Sequence, residues 1–130
     1  MQSTQDLGVL LKNLSVELTD GEFVFLTLAG GRYGECSEFE PIAAVLEKEG
    51  LTLVIPRSKA DEFQLGYEST FRRIILSAPS STDSIGYTLA CSAKLAEHGI
   101  NANAIAGSFD DHLFVPSDHV EQAMLALGEL

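Results

Sequence analysis

The fold is decided by residues 71–116, which read FRRIILSAPSSTDSIGYTLACSAKLAEHGINANAIAGSFDDHLFVP. The apolar run at residues 72–78 stops at Pro79 and predicts a β-strand, because proline cannot continue a ladder of hydrogen bonds. Residues 83–98 then repeat with the period of an α-helix. Gly99 follows at the position where a left-handed residue commonly ends a helix. This half of the stretch predicts a strand followed by a helix.

The other half of the stretch predicts a β-hairpin. Residues 100–106 alternate as a strand with small side chains, residues 107–111 supply turn-forming Gly, Ser and Asp, and residues 112–115 return as the next strand. A second helix is expected at residues 117–130. The whole stretch reads as a βαββ unit with one more helix, which indicates an α+β fold.

The N-terminal half begins with two predicted strands. Residues 14–18 alternate, Asp20-Gly21 is a favoured hairpin turn, and residues 23–28 form a dense apolar run. We therefore expect a hairpin between these two strands.

A helix is expected next in the chain. Ser37 and Glu40 have the spacing of a capping box, and the apolar residues that follow have helical spacing as far as Gly50. A strand at residues 51–55 and a short helix or turn at residues 58–65 complete this half.

The two halves resemble each other, which favours an internal duplication. Phe23 and Phe71 each begin an apolar strand that leads into a predicted helix. The first copy would occupy residues 1–66, where a short amphipathic helix at residues 7–14 leads into the hairpin. The second copy would occupy residues 67–130. The first copy is abbreviated in this interpretation, because it lacks one strand of the hairpin. A chance resemblance is the alternative, since glycine ends many helices.

Length and charge limit the possible classes of protein. The 130 residues are 45% hydrophobic, and a chain of this length buries roughly two thirds of its unfolded surface, enough for one domain or two small fused ones. The net charge of −11 repels phosphate backbones and anionic headgroups, so we expect no nucleic acid and no membrane as partners. Residues 1–10 lack the pattern of a signal peptide, and we expect a cytoplasmic protein.

Neither cysteine has a second cysteine at the spacing of a metal or redox motif. Cys91 falls within the predicted helix and is expected to be a buried thiol. Cys36 lies close to Glu35 and Glu38, whose charges raise the pKa of a thiol and make it a poor nucleophile.

Two segments of the second half resemble a known family. They are Ser80-Ser-Thr-Asp-Ser-Ile-Gly86 at the predicted start of the helix and Asp111-His-Leu-Phe-Val-Pro116 in the last strand. Together with residues 95–103, they resemble the ACT domain, and in particular small stand-alone bacterial proteins that carry two such units. The resemblance covers most of residues 14–130.

This resemblance implies a ferredoxin-like βαββαβ fold in two fused units, the first abbreviated. It also implies a non-enzymatic regulatory or sensing module that binds an amino acid or a related small molecule. In the family, the ligand lies between the loop after the first strand and the second strand of a neighbouring unit. A homodimer or higher homo-oligomer is therefore expected, with no cofactor.

Carried over to this sequence, the ligand-binding residues are the loop, its glycine and two asparagines on the second strand. They are Ser80, Ser81, Thr82, Asp83, Ser84, Ile85, Gly86, Asn101 and Asn103. Enzyme-linked members often have Asp-x-Pro-Gly where this chain has Asp83-Ser-Ile-Gly86.

The residues themselves also suit an amino acid. N–H groups at the start of a helix attract a carboxylate, Gly86 permits close approach, and Asp83 suits an ammonium. The alternative is that the loop only caps the helix. Asn101 and Asn103 share one face of the predicted strand and suit a polar ligand or a partner strand. Arg32, in the glycine-rich loop of the first half, suits a carboxylate, with a solvated side chain as the alternative.

Other polar residues give weaker signals. Asp110, Asp111, His112 and His119 are types that bind metals, but turn and helix-start positions explain them, so we expect no metal. A small enzyme using Asp111, His112 or Cys36 is one alternative function, and an assembly module without a ligand is another. Adjacent strand positions point to opposite faces, which argues against an Asp111–His112 pair.

Some predicted strands are apolar on both faces. Phe23 and Phe25 share one face, while Val24 and Leu26 share the other. Both faces need cover, which predicts a dimer, with the leucine-rich segment at residues 7–14 as the alternative cover.

Overall fold

The computed structural model describes residues 12–77 and 86–130. None of the helices in these ranges is long and apolar enough to cross a membrane. Short 3₁₀-helices lie at Ser37–Phe39 and Ser117–His119. The strands are β1 (Ser15–Leu18), β2 (Phe23–Leu28), β3 (Ala43–Glu47), β4 (Gly50–Pro56), β5 (Phe71–Ser77), β6 (Asn103–Ala106) and β7 (Asp111–Pro116), and the helices are α1 (Arg57–Glu62), α2 (Tyr87–Glu97) and α3 (Val120–Leu127).

The chain forms two compact units. The flanking unit comprises the described residues up to Asp20 together with Arg72–Leu130, and the inserted unit is Gly21–Phe71. The inserted unit therefore interrupts the flanking unit along the chain. By packing, β1 belongs with the second half of the sequence. The division into copies at residues 1–66 and 67–130 stays a prediction about the repeat.

The flanking unit has the strand order β1-β5-β7-β6. β1 pairs antiparallel with β5 from Ser15–Ser77 to Leu18–Ile74, and β6 pairs antiparallel with β7. Along the chain, β5, α2, β6, β7 and α3 follow one another. β1 takes the position beside β5 that the last strand of a βαββαβ unit occupies. The ferredoxin-like fold is confirmed, with its final strand supplied from ahead of the inserted unit.

The core of the flanking unit lies between this sheet and its two helices. Cys91 and Leu95 are four residues apart, so they lie on the same side of α2. Each fully buried Leu, Ile or Val contributes about 1.5–3 kcal/mol relative to leaving it exposed. The fully buried members of this core are Ile74, Leu76, Cys91, Leu95, Leu113, Val115, Ala123 and Ala126.

The inserted unit has the strand order β3-β4-β2, with β4 in the centre. All six residues of β2 pair with β4, from Phe23–Pro56 to Leu28–Leu51. The segment between β2 and β3 contains the 3₁₀ turn at Ser37–Phe39, which brings Phe39 into the core. The other buried core residues are Val24, Leu51, Leu53, Ile55 and Ala60.

The predicted helix ending at Gly50 is wrong. Ala43–Glu47 is a strand that forms a hairpin with β4. Its helical spacing was misleading because Val45 and Leu46 are 52% and 55% exposed at the edge of the sheet, rather than forming a buried stripe. The first unit is abbreviated, but it keeps both strands of the hairpin and has a 3₁₀ turn in place of the first helix.

The predicted hairpin between β1 and β2 is also wrong. Gly21 has the positive φ of 83° that such a turn favours. However, β1 pairs with β5, and the Thr19 N–H continues that ladder by donating to the Arg73 carbonyl at 3.0 Å. The turn residues Asp20-Gly21 were a correct local signal, but the strand that pairs with β1 was predicted wrongly.

The two apolar faces of β2 are covered unequally within one chain. Phe23 and Val24 are 6% and 0% exposed, whereas Phe25 and Leu26 are only half-buried. The buried positions need no second copy, and the dimer stays a prediction. The alternative cover, the segment at residues 7–14, lies mostly outside the described residues.

Gly50 is expected to be essential for stability, because the chain approaches it closely at the end of β2. Its φ is +144°, and a Cβ would lie 2.4 Å from the Leu28 carbonyl oxygen. We expect Gly50→Ala to lower the free energy of unfolding in urea by on the order of 2–4 kcal/mol. Gly66→Ala is the control, because a Cβ there meets nothing within 4 Å. Equal urea midpoints for the two variants would contradict this close approach.

Candidate ligand-binding site

The candidate site lies where β5 ends, α2 begins and the β6–β7 hairpin turns. The Ser77 hydroxyl donates to Oδ1 of Asp110 at 2.8 Å. The Thr88 hydroxyl donates to Oδ2 of Asp111. The hairpin is therefore hydrogen-bonded to the end of β5, which precedes the loop predicted to bind the ligand. It is also hydrogen-bonded to the start of α2, which follows that loop.

Gly86 occupies the N-cap position of α2. Its φ and ψ are 94° and −6°, in the left-handed region that favours glycine. Its carbonyl accepts the first helical hydrogen bond, from the Ala90 N–H at 2.8 Å. The helix begins at Tyr87, so glycine, and not one of the preceding hydroxyl residues, takes the capping position.

Burial and the Asp111 carboxylate together set the electrostatics beside this helix start. The pKa of the Tyr87 phenol is raised, first by burial and then by the Asp111 charge and a hydrogen bond to its carboxylate. Burial, and then the Asp111 charge, raises the pKa of the Cys91 thiol to about 11. The surroundings of Asp111 thus disfavour further negative charge and favour a cation.

Six of the predicted ligand-binding residues cannot be placed. They fall outside the described residues and are Ser80, Ser81, Thr82, Asp83, Ser84 and Ile85.

The two asparagines lie at the other end of the hairpin from Asp111. Asn103 pairs with Phe114, whereas Asp111 pairs with Ala106. Three residues of strand separate the two positions, which is about 10 Å. β6 begins at Asn103, so the exposed Asn101 precedes the strand instead of sharing it. The flanking unit therefore does not bring the asparagines next to Gly86.

Arg32 belongs to the inserted unit, and its residue is exposed. Its backbone N–H donates to Oε1 of Glu35 at 2.6 Å, which fixes the glycine-rich loop locally.

The residues suggested for catalysis are not arranged as a catalytic group. The Asp111 carboxylate binds Thr88, while His112 Nδ1 is buried without a hydrogen-bond partner among the described residues. In the same ranges, no group of three His, Cys, Asp or Glu side chains could hold a metal ion. As expected, the pKa of the Cys36 thiol is raised, by burial first and then by Glu38 and Glu35.

Sequence reasoning missed the residues that build this corner, namely Ser77, Tyr87 and Thr88. It explained Asp110 and Asp111 by the turn, with a metal site and, for Asp111, a small enzyme as the alternatives, and did not predict their bonds to Ser77 and Thr88. The hydroxyl residues on either side of the loop were the available signal for this corner. An aspartate in the hairpin needs hydrogen-bond donors, and hydroxyl groups can supply them.

The thiol of Cys91 gives a direct measure of the field at this corner. The ¹³Cβ chemical shift of Cys91 should titrate with a pKa of about 11. Asp111→Asn should lower this pKa, because it removes the charge that disfavours the thiolate. Since the folded pKa lies above the ordinary value of 9.0, this thiol stabilises the fold at neutral pH and loses that contribution as the pH rises from about 9 to about 11. If the Cys91 pKa is unchanged in Asp111→Asn, the Asp111 carboxylate does not lie close to this thiol.

Comparison with solved structures gives matches of two kinds. A protein of unknown function from Vibrio cholerae, described as a possible transport protein, is 42% identical, with a TM-score of 0.87 and 98% of each chain covered. Aspartate kinase from Clostridium acetobutylicum is 12% identical with a TM-score of 0.62, and the match covers 88% of this chain and 33% of that one. A putative C-terminal regulatory domain of aspartate kinase from Porphyromonas gingivalis is 12% identical with a TM-score of 0.54, covering 89% and 95%. At this low identity, the two kinase matches show the fold alone.

Family models agree with this fold. No curated protein matches the chain. ACT domain models match residues 2–72 and residues 67–129, in tandem. The chain therefore belongs to the ACT domain family and carries two ACT units.

Proposed function

We propose that this protein is a non-enzymatic sensing module of the cytoplasm, which binds an amino acid at the start of α2 and self-associates. ACT domains are in general regulatory modules that bind small molecules. The observation that carries the proposal is the corner formed by Gly86, Thr88 and Asp111, where a left-handed glycine opens an eleven-residue helix beside a carboxylate.

An amino acid has a carboxylate and an ammonium, and this corner offers a place for each. The N–H groups and the dipole at the start of α2 favour a carboxylate. Asp110 and Asp111 favour an ammonium on the hairpin side. Asp83 and its neighbouring hydroxyl residues would complete the loop, as the family resemblance implies. Arg32 is proposed to bind a carboxylate in the equivalent loop of the inserted unit.

A neighbouring unit is proposed to supply the other side of the site. Asn101 and Asn103 are exposed and lie at the far end of the hairpin from Asp111, so they would serve the Gly86 corner of another unit.

Self-association is supported by the edge of the inserted unit. β3 is the terminal strand in the order, and its Val45 and Leu46 are more than half exposed. An exposed apolar edge is a template for pairing with another strand. The same observation favours the second candidate function, an assembly module without a ligand. A small enzyme is less well supported, because Asp111 is engaged by Thr88 and does not pair with His112.

A thermal-shift panel of the twenty amino acids should identify a ligand. A true ligand at a hundredfold excess over its Kd stabilises the folded state by about 2.7 kcal/mol, which raises the Tm by several degrees. Gly86→Val should abolish the rise, because a branched side chain is strained at a φ of 94° and blocks close approach. Gly99→Val is the matched control, since it places the same strain, at a φ of 73°, beyond the other end of α2.

The control should be destabilised yet still respond to the amino acid. If the amino acid still raises the Tm of Gly86→Val, the ligand does not bind at this corner. A panel in which no amino acid and no related metabolite raises the Tm would favour the assembly module.

Self-association through β3 can be tested separately by light scattering. Val45→Lys should shift the protein toward the monomer, because an inserted charge disfavours edge pairing. Leu125→Lys is the control: Leu125 is 73% exposed and lies on α3 of the flanking unit, not on β3. If both variants keep the wild-type mass, β3 is not the interface.

A further inference from the structure

Among the residues that the structure describes, the strand position beside β2 in the inserted unit is filled only at its start. On one edge, β2 pairs with β4 along all six residues. On the other edge, Phe23 pairs with Phe71, and the described pairing goes no further. In a complete ferredoxin-like unit a fourth strand lies along this second edge. Here the chain before Phe71 diverges from β2 instead.

The divergence opens a cleft of about 410 Å³. Phe25 and Thr27 line it from β2, and Tyr67, Glu68 and Ser69 line it from the opposite side. The size falls within the range of pockets that hold small ligands. All lining residues belong to the inserted unit, so this cleft is separate from the corner at Gly86.

The wall opposite β2 is held in place by hydrogen bonds. The Tyr67 hydroxyl accepts from Arg57 Nε and donates to Oδ1 of Asp61, both at 2.8 Å. Three residues further on, the Thr70 hydroxyl donates to Oε2 of Glu22 at 3.0 Å. Glu68 therefore lies between two fixed points. Such a preformed wall reduces the ordering cost of binding a ligand.

The charges around the cleft favour a cation. Glu68 is the charged residue of the lining, and the lining contains no Lys or Arg. Arg57, behind Tyr67, is already compensated by Glu22 at 2.6 Å and Asp61 at 3.6 Å. With a net charge of −11 on the whole chain, an anionic ligand would be repelled from this side.

The floor of the cleft is aromatic. Phe25 and Phe71 pack edge to face with ring centroids 5.0 Å apart. Aromatic rings attract cations and also contact apolar ligand bodies. We propose that this cleft is a second binding site that takes a small organic cation, a protonated amine with an apolar body and no carboxylate, held between Glu68 and the Phe25–Phe71 pair.

Three probes with one shared body test this assignment: benzylamine, benzyl alcohol and benzoate. In ¹H–¹⁵N spectra of the full chain, benzylamine should shift the amides of Phe25, Thr27, Glu68 and Ser69 most strongly. Benzyl alcohol should bind more weakly, and benzoate should bind most weakly. Added salt should weaken benzylamine binding and leave benzyl alcohol unaffected.

Glu68→Gln should raise the Kd for benzylamine about 2–5-fold and not that for benzyl alcohol. Glu49→Gln is the matched control, since Glu49 is exposed in the β3–β4 turn and its loss changes the net charge equally. Equal effects of the two variants, or benzoate binding as well as benzylamine, would overturn the proposal. So would shifts of the β2 amides that depend on protein concentration without any probe, because a second copy would then fill the open edge.

Discussion

The pairing of β1 with β5 is the constraint on which the rest of the structure depends. β1 precedes the inserted unit and β5 follows it, yet Ser15–Leu18 and Ile74–Ser77 are neighbours in one ladder. This ladder completes the sheet of the flanking unit and adds Val16 and Leu18 to its core. It also fixes Ser77, the last residue of β5, from which the loop leading to Gly86 departs. The site at the start of α2 is therefore positioned by a strand from the other end of the chain.

The two units share one arrangement of strands and helices, and the inserted unit lacks parts of it. The flanking unit keeps both helices and places Gly86 at the start of the first one. The inserted unit replaces that helix with a turn around Phe39, and in the described ranges its β2 pairs with β5 only at Phe23. The cleft lined by Phe25 and Glu68 lies beside this edge of β2. The negative charges of Asp111 at the start of α2 and of Glu68 in the cleft beside β2 favour positive groups at both places.

Local patterns in the sequence predicted most elements, while partners at long range were harder to predict. The strand that starts at Phe71, the helix before Gly99 and the β6–β7 hairpin have clear periods and end signals, and the structure contains all three. β3 was taken for a helix because an edge strand buries little, so Val45 and Leu46 carried no alternation to reveal it. The pairing of β1 could not be read locally, because the Asp20-Gly21 turn looks the same whichever strand follows. For the candidate site, the family motif predicts Gly86, whereas Ser77 and Thr88 depend on contacts with residues 23 to 33 positions away.

The central claim is that the left-handed residue ahead of α2 leaves helical N–H groups available to a ligand carboxylate. It is tested most directly by a crystal structure of the protein with the amino acid that raises its Tm most. The account predicts a ligand whose carboxylate lies about 3 Å from the first N–H groups of α2, with its ammonium toward Asp110 and Asp111. A ligand bound elsewhere, with side chains filling the space beside Gly86, would contradict it.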